Sequence, residues 1–142
     1  MIRIFNIDDL DNLMDIWLNA NIKTHNFIDE NYWINNFDYV KTLLPTSQIY
    51  VYEINNNIIG FIGTNKNYIE GIFIKEEYQN KGVGSKLLNY IKNLYNELYL
   101  SVYKNNNNAI KFYKKHYFNI IKEQIDKNTN EIELVMQYKK ES

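Results

Sequence analysis

Leu10, Leu13, Met14, Trp17 and Leu18 recur at i, i+3, i+4, i+7 and i+8, one stripe of an amphipathic helix. Asp8 and Asp9 stand before it as N-cap and first-turn acids, which predicts a helix from about Asp8 to Asn21. Ile2, Ile4 and Phe5 read as a short strand ahead of it. A second helix is expected between Asp29 and Leu44, stopped by Pro45, the only proline in the chain. From Ser47 the period shortens. Ile49 to Ile54 and Ile58 to Ile62 are β-rich runs joined at Asn55-Asn56-Asn57, where asparagine's tolerance of positive φ suits a tight hairpin. Tyr68 to Ile74 is a third strand, reached through a turn at Asn65-Lys66-Asn67. A helix from Gly82 to about Asn96 follows, then a buried strand from Leu98 to Val102. A further helix carries Ala109, Ile110, Phe112 and Tyr113 and ends near His116. Phe118 to Ile121 and Glu131 to Tyr138 complete a closing hairpin, the latter in strict alternation.

This order predicts one domain over residues 1–142: an α/β (α+β) fold with a mixed, mostly antiparallel central sheet and helices on both faces. One parallel strand–helix–strand crossover is expected within it. Composition narrows the function rather than naming it. With 16 basic and 17 acidic side chains the net charge is −1, which argues against nucleic-acid binding driven by phosphate neutralisation. The chain has no cysteine, so disulfides, thiolate catalysis and Cys-ligated zinc are excluded. No apolar run approaches the roughly 20 residues of a membrane helix. Met1-Ile2-Arg3-Ile4-Phe5 lacks a signal-peptide layout, so a cytoplasmic protein is expected. Asparagine supplies 24 of the 142 residues, a bias that fits AT-rich codons better than a prion-like tract.

The segment with chemical content is Ile72-Phe73-Ile74-Lys75-Glu76-Glu77-Tyr78-Gln79-Asn80-Lys81-Gly82-Val83-Gly84-Ser85-Lys86, a strand running through a loop into two glycines that open a helix. A helix start leaves backbone N–H groups unpaired and carries partial positive charge, so it can hold a phosphate without a basic side chain. Two glycines alone fit close packing equally well. The spacing fails a Walker A loop, and Leu87 stands where a dinucleotide fingerprint needs its third glycine.

Gln79-Asn80-Lys81-Gly82-Val83-Gly84 resembles the Q/R-x-x-G-x-G/A signature of the GNAT superfamily of N-acetyltransferases. Upstream, Ile72-Phe73-Ile74 and Tyr78 resemble that family's apolar strand and aromatic. Downstream, Asn106-Asn107-Asn108-Ala109-Ile110-Lys111-Phe112-Tyr113 resembles its N-x-x-A-x-x-F-Y helix start, one helix and one strand later. Ile16-Trp17, Thr24-His25, Phe27, Tyr32 and Leu44-Pro45 resemble the bacterial YjaB-type branch. Two departures stand out: Glu76 where the family often has proline, and Tyr117 where the last helix usually ends in glycine before Phe118, so that turn is expected to be built differently.

The resemblance implies a GNAT-like sheet of about seven strands with about four helices. It implies acetyl-CoA as co-substrate, no metal, and an amine acceptor that is a small molecule or a peptide. The acetyl-CoA pantetheine would run along Ile72, Phe73 and Ile74 at a splayed strand edge. The diphosphate would sit on backbone N–H groups of Asn80, Lys81, Gly82, Val83, Gly84 and Ser85, with Gln79, Asn106 and Tyr113 also among the residues that hold the carrier. It further implies Tyr113 as general acid for the leaving thiolate, Asn106 having a plain N-cap role as its other reading. Glu70, placed by strand parity with Tyr68 and Ile72, and His25 are the candidate bases. His116 is expected to be structural. The same signature would serve a non-catalytic acyl-CoA sensor, and either a monomer or a homodimer.

Overall fold

The computed structural model describes residues 1–141. Seven strands form one sheet in the order β1-β2-β3-β4-β5-β7-β6, with β1 Ile2–Ile4, β2 Gln48–Ile54, β3 Asn57–Asn65, β4 Tyr68–Ile74, β5 Glu97–Tyr103, β6 Asn119–Ile125 and β7 Ile132–Lys139. All neighbours are antiparallel except β4 and β5. Helices α1 (Leu10–Thr24) and α2 (Glu30–Leu43) cover one face, and α3 (Val83–Lys92) and α4 (Asn107–Lys115) the other. The expected fold class, with its single parallel crossover through α3, is the observed one.

Each face has its own core. Val83, Leu87, Leu88 and Ile91 put the apolar stripe of α3 on Ile62, Ile69, Leu98 and Leu100. Leu13, Met14, Ile16, Trp17 and Trp33 pack on Val51, Ile58 and Phe61 from the opposite side. Each fully buried Leu or Ile contributes about 1.5–3 kcal/mol of hydrophobic stabilisation. Alternation along β5 sends Leu98, Leu100 and Val102 to the α3–α4 face and leaves Tyr103 on the α1–α2 face.

Several boundaries move for local reasons. The cap at the chain start is Asn6, whose side chain accepts from Asp8 N while the Asp9 carboxylate accepts from Asn6 N, so a 3-10 turn over Ile7–Asp9 precedes α1. Asp9 is also held by a bidentate contact with Arg3 (2.9 and 3.0 Å), which keeps its carboxyl below the usual range. Helix α1 runs on to Thr24, α3 stops at Lys92 rather than near Asn96, and β6 extends to Ile125. The β2–β3 turn is Asn55-Asn56, both at positive φ (49° and 66°), as a two-residue hairpin of this twist requires.

The end of α4 differs from a glycine-terminated helix in composition but not in geometry, so the turn is not built differently as expected. Tyr117 adopts φ 70°, and Phe118 N donates back to the Tyr113 carbonyl at 3.0 Å, the bond of a glycine-terminated helix. A side chain in this left-handed region costs about 1–2 kcal/mol. Tyr117→Gly is therefore expected to raise unfolding stability by about 0.5–1 kcal/mol net of added unfolded-state freedom, measured by urea denaturation. The opposite sign is expected at Gly60 on β3. A Cβ there would meet the Phe73 carbonyl oxygen at 2.9 Å, so Gly60→Ala should cost about 1–3 kcal/mol in the same assay.

Candidate active site

Strands β4 and β5 are paired only at Tyr68↔Tyr99 and Ile69↔Leu100. Beyond that point β4 stays paired with β3 through Ile74 and β5 stays paired with β7 through Tyr103, so the two strands part and open a cleft. The Gly71–Ile74 backbone edge that faces the cleft has no strand partner. Side chains there alternate: Ile72 and Ile74 pack on the α3–α4 core, while Phe73 packs on the α1–α2 core with its ring 5.1 Å from that of Phe61.

At the mouth of the cleft the chain turns into α3. The amides of Asn80, Lys81, Gly82, Val83, Gly84 and Ser85 have no acceptor in hydrogen-bonding geometry within the described residues; the first helical bond is Lys86 N to Gly82 O. Gly82 holds φ 85° with nothing within 4 Å of where a Cβ would lie, and Asn80 holds φ 61°. Left-handed residues at a helix start make consecutive N–H groups converge on one point, which is a seat for an anion. Gly84 lies against Phe112 of α4, where an added Cβ would sit 3.5 Å from the ring tip. The residues present thus fit a diphosphate group.

Side chains of the signature do other work. Gln79 Nε2 donates to the Ile74 carbonyl (3.1 Å), pinning the loop to the end of β4. Lys81 Nζ lies over the Tyr78 ring at 5.9 Å. Ser85 Oγ is 2.9 Å from Nε2 of His116, whose backbone carbonyl accepts from Lys92 Nζ, so His116 ties α4 to α3. Glu76, the residue in the usual proline position, forms an ion pair with Lys23 of α1. Lys23, Asp15 and Asn19 line a groove of about 410 Å³ between α1 and the Ile74–Gln79 segment. Nothing in their spacing marked these three, because only the packing of α1 on β4 brings them to the loop.

Tyr113 projects from α4 into the same packed cluster as Ile69 and Leu100, the last pair before the strands part. It is 8% exposed, with Phe112 and Phe118 against its ring edge-on. Burial, and secondarily the Tyr68 phenol, push its pKa far up, and its hydroxyl makes no hydrogen bond among the described residues. The phenol is therefore held neutral.

The strand-parity expectation for Glu70 changes. Glu70 is the extra residue of a bulge, since Gly63 pairs with Gly71 but Thr64 with Ile69. The bulge breaks the strand's alternation, so Glu70 does not share a face with Ile72. It lines a pocket of about 190 Å³ with Phe73, Trp17, Val40, Leu43 and Leu44 on the α1–α2 side, accepting from Ser47 Oγ at 2.5 Å. His25 has both nitrogens engaged: Nδ1 lies 3.1 Å from Asn21 Oδ1 and Nε2 3.3 Å from Asn106 Nδ2. Both ring nitrogens therefore lie within hydrogen-bonding distance of asparagine side chains. Asn106 is the N-cap of α4, accepting from Ala109 N at 3.2 Å. Asn21 was not singled out from the sequence, although it lies four residues beyond Trp17 on the apolar stripe of α1, where a polar residue is a signal. Among the described residues no cluster of three or more metal-binding side chains occurs, and no helix is long and apolar enough to cross a membrane.

The profile of the Acetyltransferase (GNAT) family matches residues 10–118. The chain belongs to the GNAT family of N-acetyltransferases. It is 28% identical over 123 residues to peptidyl-lysine N-acetyltransferase YiaC of Escherichia coli, covering 85% of this chain and 84% of that one. The solution structure of apo YjaB from Escherichia coli superposes with a TM-score of 0.88 at 24% identity, covering 99% of this chain and 98% of that one. A putative streptothricin acetyltransferase of Bacillus anthracis, solved with acetyl coenzyme A, gives a TM-score of 0.61 at 29% identity over 67% of this chain and 63% of its own. The GNAT assignment accounts for the parted strands and the unpaired amides with one explanation.

Burial pushes the His25 pKa down to about 4 from 6.5. That contribution to stability is complete above about pH 6.5 and is lost as pH falls toward about 4, because over that window the unfolded chain binds a proton the folded one refuses. Lowering the pH from 7 to 4.5 should therefore reduce unfolding free energy less steeply in His25→Gln than in the parent, by up to about 1.4 kcal/mol per pH unit. Equal slopes in urea titrations would remove His25 from the acid response.

Proposed function

We propose that this GNAT domain moves an acetyl group from acetyl-CoA to the primary amine of a peptide lysine, by direct attack of the amine on the thioester. The observation that carries the reading is the parting of β4 from β5 with six unpaired amides at its mouth. The amides of Asn80–Ser85 would hold the diphosphate, and the free edge of Gly71–Ile74 would take the pantetheine amides as an added strand. The Phe73 N–H would polarise the thioester carbonyl. Acetyl-CoA supplies an acyl carbon already activated as a thioester. The names of the relatives YiaC and YjaB, both peptidyl-lysine N-acetyltransferases, support lysine as acceptor.

Tyr113 donates to the sulfur as it leaves. The burial that keeps the phenol protonated also makes it a weak acid against a thiolate of pKa about 8.5, so its part is a hydrogen bond made as negative charge grows on sulfur. The second proton, shed by nitrogen as the C–S bond breaks and the amide forms, passes through solvent to the thiolate, which leaves as the thiol. Glu70 meets the acceptor. The apolar walls of its pocket suit a methylene stem, and its carboxylate, steadied by Ser47, attracts the ammonium and takes its proton, directly or through water.

Tyr113→Phe should lower kcat by about 10²–10³-fold while leaving the acetyl-CoA dissociation constant within a few-fold. An unchanged kcat in a coupled thiol-release assay with lysine peptides would end the donor role. Glu70→Gln should raise the peptide KM more than it changes the KM for acetyl-CoA. If no amine in a broad panel is acetylated although acetyl-CoA binds in calorimetry, the non-catalytic sensor reading replaces this one.

A further inference from the structure

His25 sits between two asparagines whose orientations are fixed from outside. The Asn21 amide donates through Nδ2 to the Trp17 carbonyl at 2.9 Å, which leaves Oδ1 as the atom facing His25. Oδ1 can only accept, so Nδ1 of the ring must carry a hydrogen. At the other end Asn106 Oδ1 accepts from Ala109 N, which turns its NH₂ toward the ring. Nδ2 can only donate, so Nε2 of the ring must be bare. A backbone carbonyl on α1 and a backbone amide on α4 thus determine every proton in between, and they permit one state of the imidazole.

We propose that His25 is a positioning residue: as the neutral Nδ1–H tautomer it is the middle link of a directed chain, Trp17 carbonyl–Asn21–His25–Asn106–Ala109 amide, that fastens the end of α1 to the N-cap of α4. It acts on the reaction through Asn106. Helix α4 starts at that cap and carries Tyr113 seven residues later, while α1 lines the groove beside the signature loop. The inference rests on the role proposed for Tyr113 only in its kinetic consequence. The surroundings offer nothing to stabilise a second proton. Trp33 of α2 stacks on the ring at 5.3 Å, and Phe27 and Tyr103 of β5 meet it edge-on at 5.7 and 5.1 Å. The Tyr103 hydroxyl is turned away to the Asp126 carboxylate of the β6–β7 connection at 2.7 Å. Tyr32 of α2 packs against Trp33, and Glu133 of β7 accepts from Gln124. Burial accordingly holds the ring neutral. A proton forced onto Nε2 would face the NH₂ of Asn106, and Asn106 would have to turn over and abandon Ala109.

The test is ¹⁵N NMR of the full chain labelled at histidine, read beside kinetics. His25 should show a pyrrole-type Nδ1 and a pyridine-type Nε2 that do not titrate between pH 8 and 5. An Nε2–H tautomer, or titration near 6.5, overturns the proposal. In Asn106→Asp the cap acceptor remains but the donor to Nε2 is gone, so the His25 ring should become the imidazolium at pH 7; a ring still neutral overturns it as well. His25→Gln, which keeps a donor and an acceptor, should retain kcat within about threefold. His25→Leu should lose at least tenfold in kcat at nearly constant KM for acetyl-CoA, and equal losses in the two variants overturn the kinetic part. The NMR signatures involve no turnover, so they stand or fall independently of Tyr113.

Discussion

The parting of β4 and β5 is the constraint on which the rest of this molecule depends. A central sheet ordinarily satisfies its backbone groups strand to strand, and an unpaired edge inside it is a standing demand for a partner. Here β4 and β5 share only Tyr68↔Tyr99 and Ile69↔Leu100, while each remains fully paired on its other side. The gap is therefore rigid rather than frayed. The Glu70 bulge bends β4 where the pairing ends, and Gly60 on β3 lets the Phe73–Ile74 backbone come closer than a side chain would permit.

The cleft also sets the relation of the two cores. Ile72 and Ile74 belong to the α3–α4 side and Phe73 to the α1–α2 side, so consecutive residues of one strand tie the two cores together. Tyr113 packs on the α3–α4 side of the sheet and Glu70 lines a pocket on the α1–α2 side. The polar chain through His25 joins the same two layers beside the cleft, with hydrogen bonds where the strand uses packing. A buried chain of this kind is stable only when fully satisfied, and each of its side-chain atoms has a partner.

Helices and strands were legible because each exposes one face to a core and so repeats at 3.6 or 2 residues, as the stripes of α1 and α3 and the alternation of β7 did. The asparagine turns were legible because positive φ has few tolerant residues. Boundaries were less so: Asp9 looked like a helix-start acid, but the bidentate partner that defines its place, Arg3, comes from β1. Tyr117 looked like a departure that needed a different turn, yet tertiary packing around Phe118 holds a tyrosine in the glycine conformation.

The sequence by itself determined the order of elements, the glycine-bearing helix start and the membership that these imply, since each is a local pattern written in neighbouring residues. Only the tertiary structure decided where Glu70, His25 and Asn106 sit and what they touch. A bulge of one residue reverses the face of Glu70, and the partners of His25 are fixed by how α1 and α4 approach, with Asn106 81 residues away along the chain. Alternation and hydrogen-bond direction are properties of contacts, and contacts between distant segments are not written in spacing.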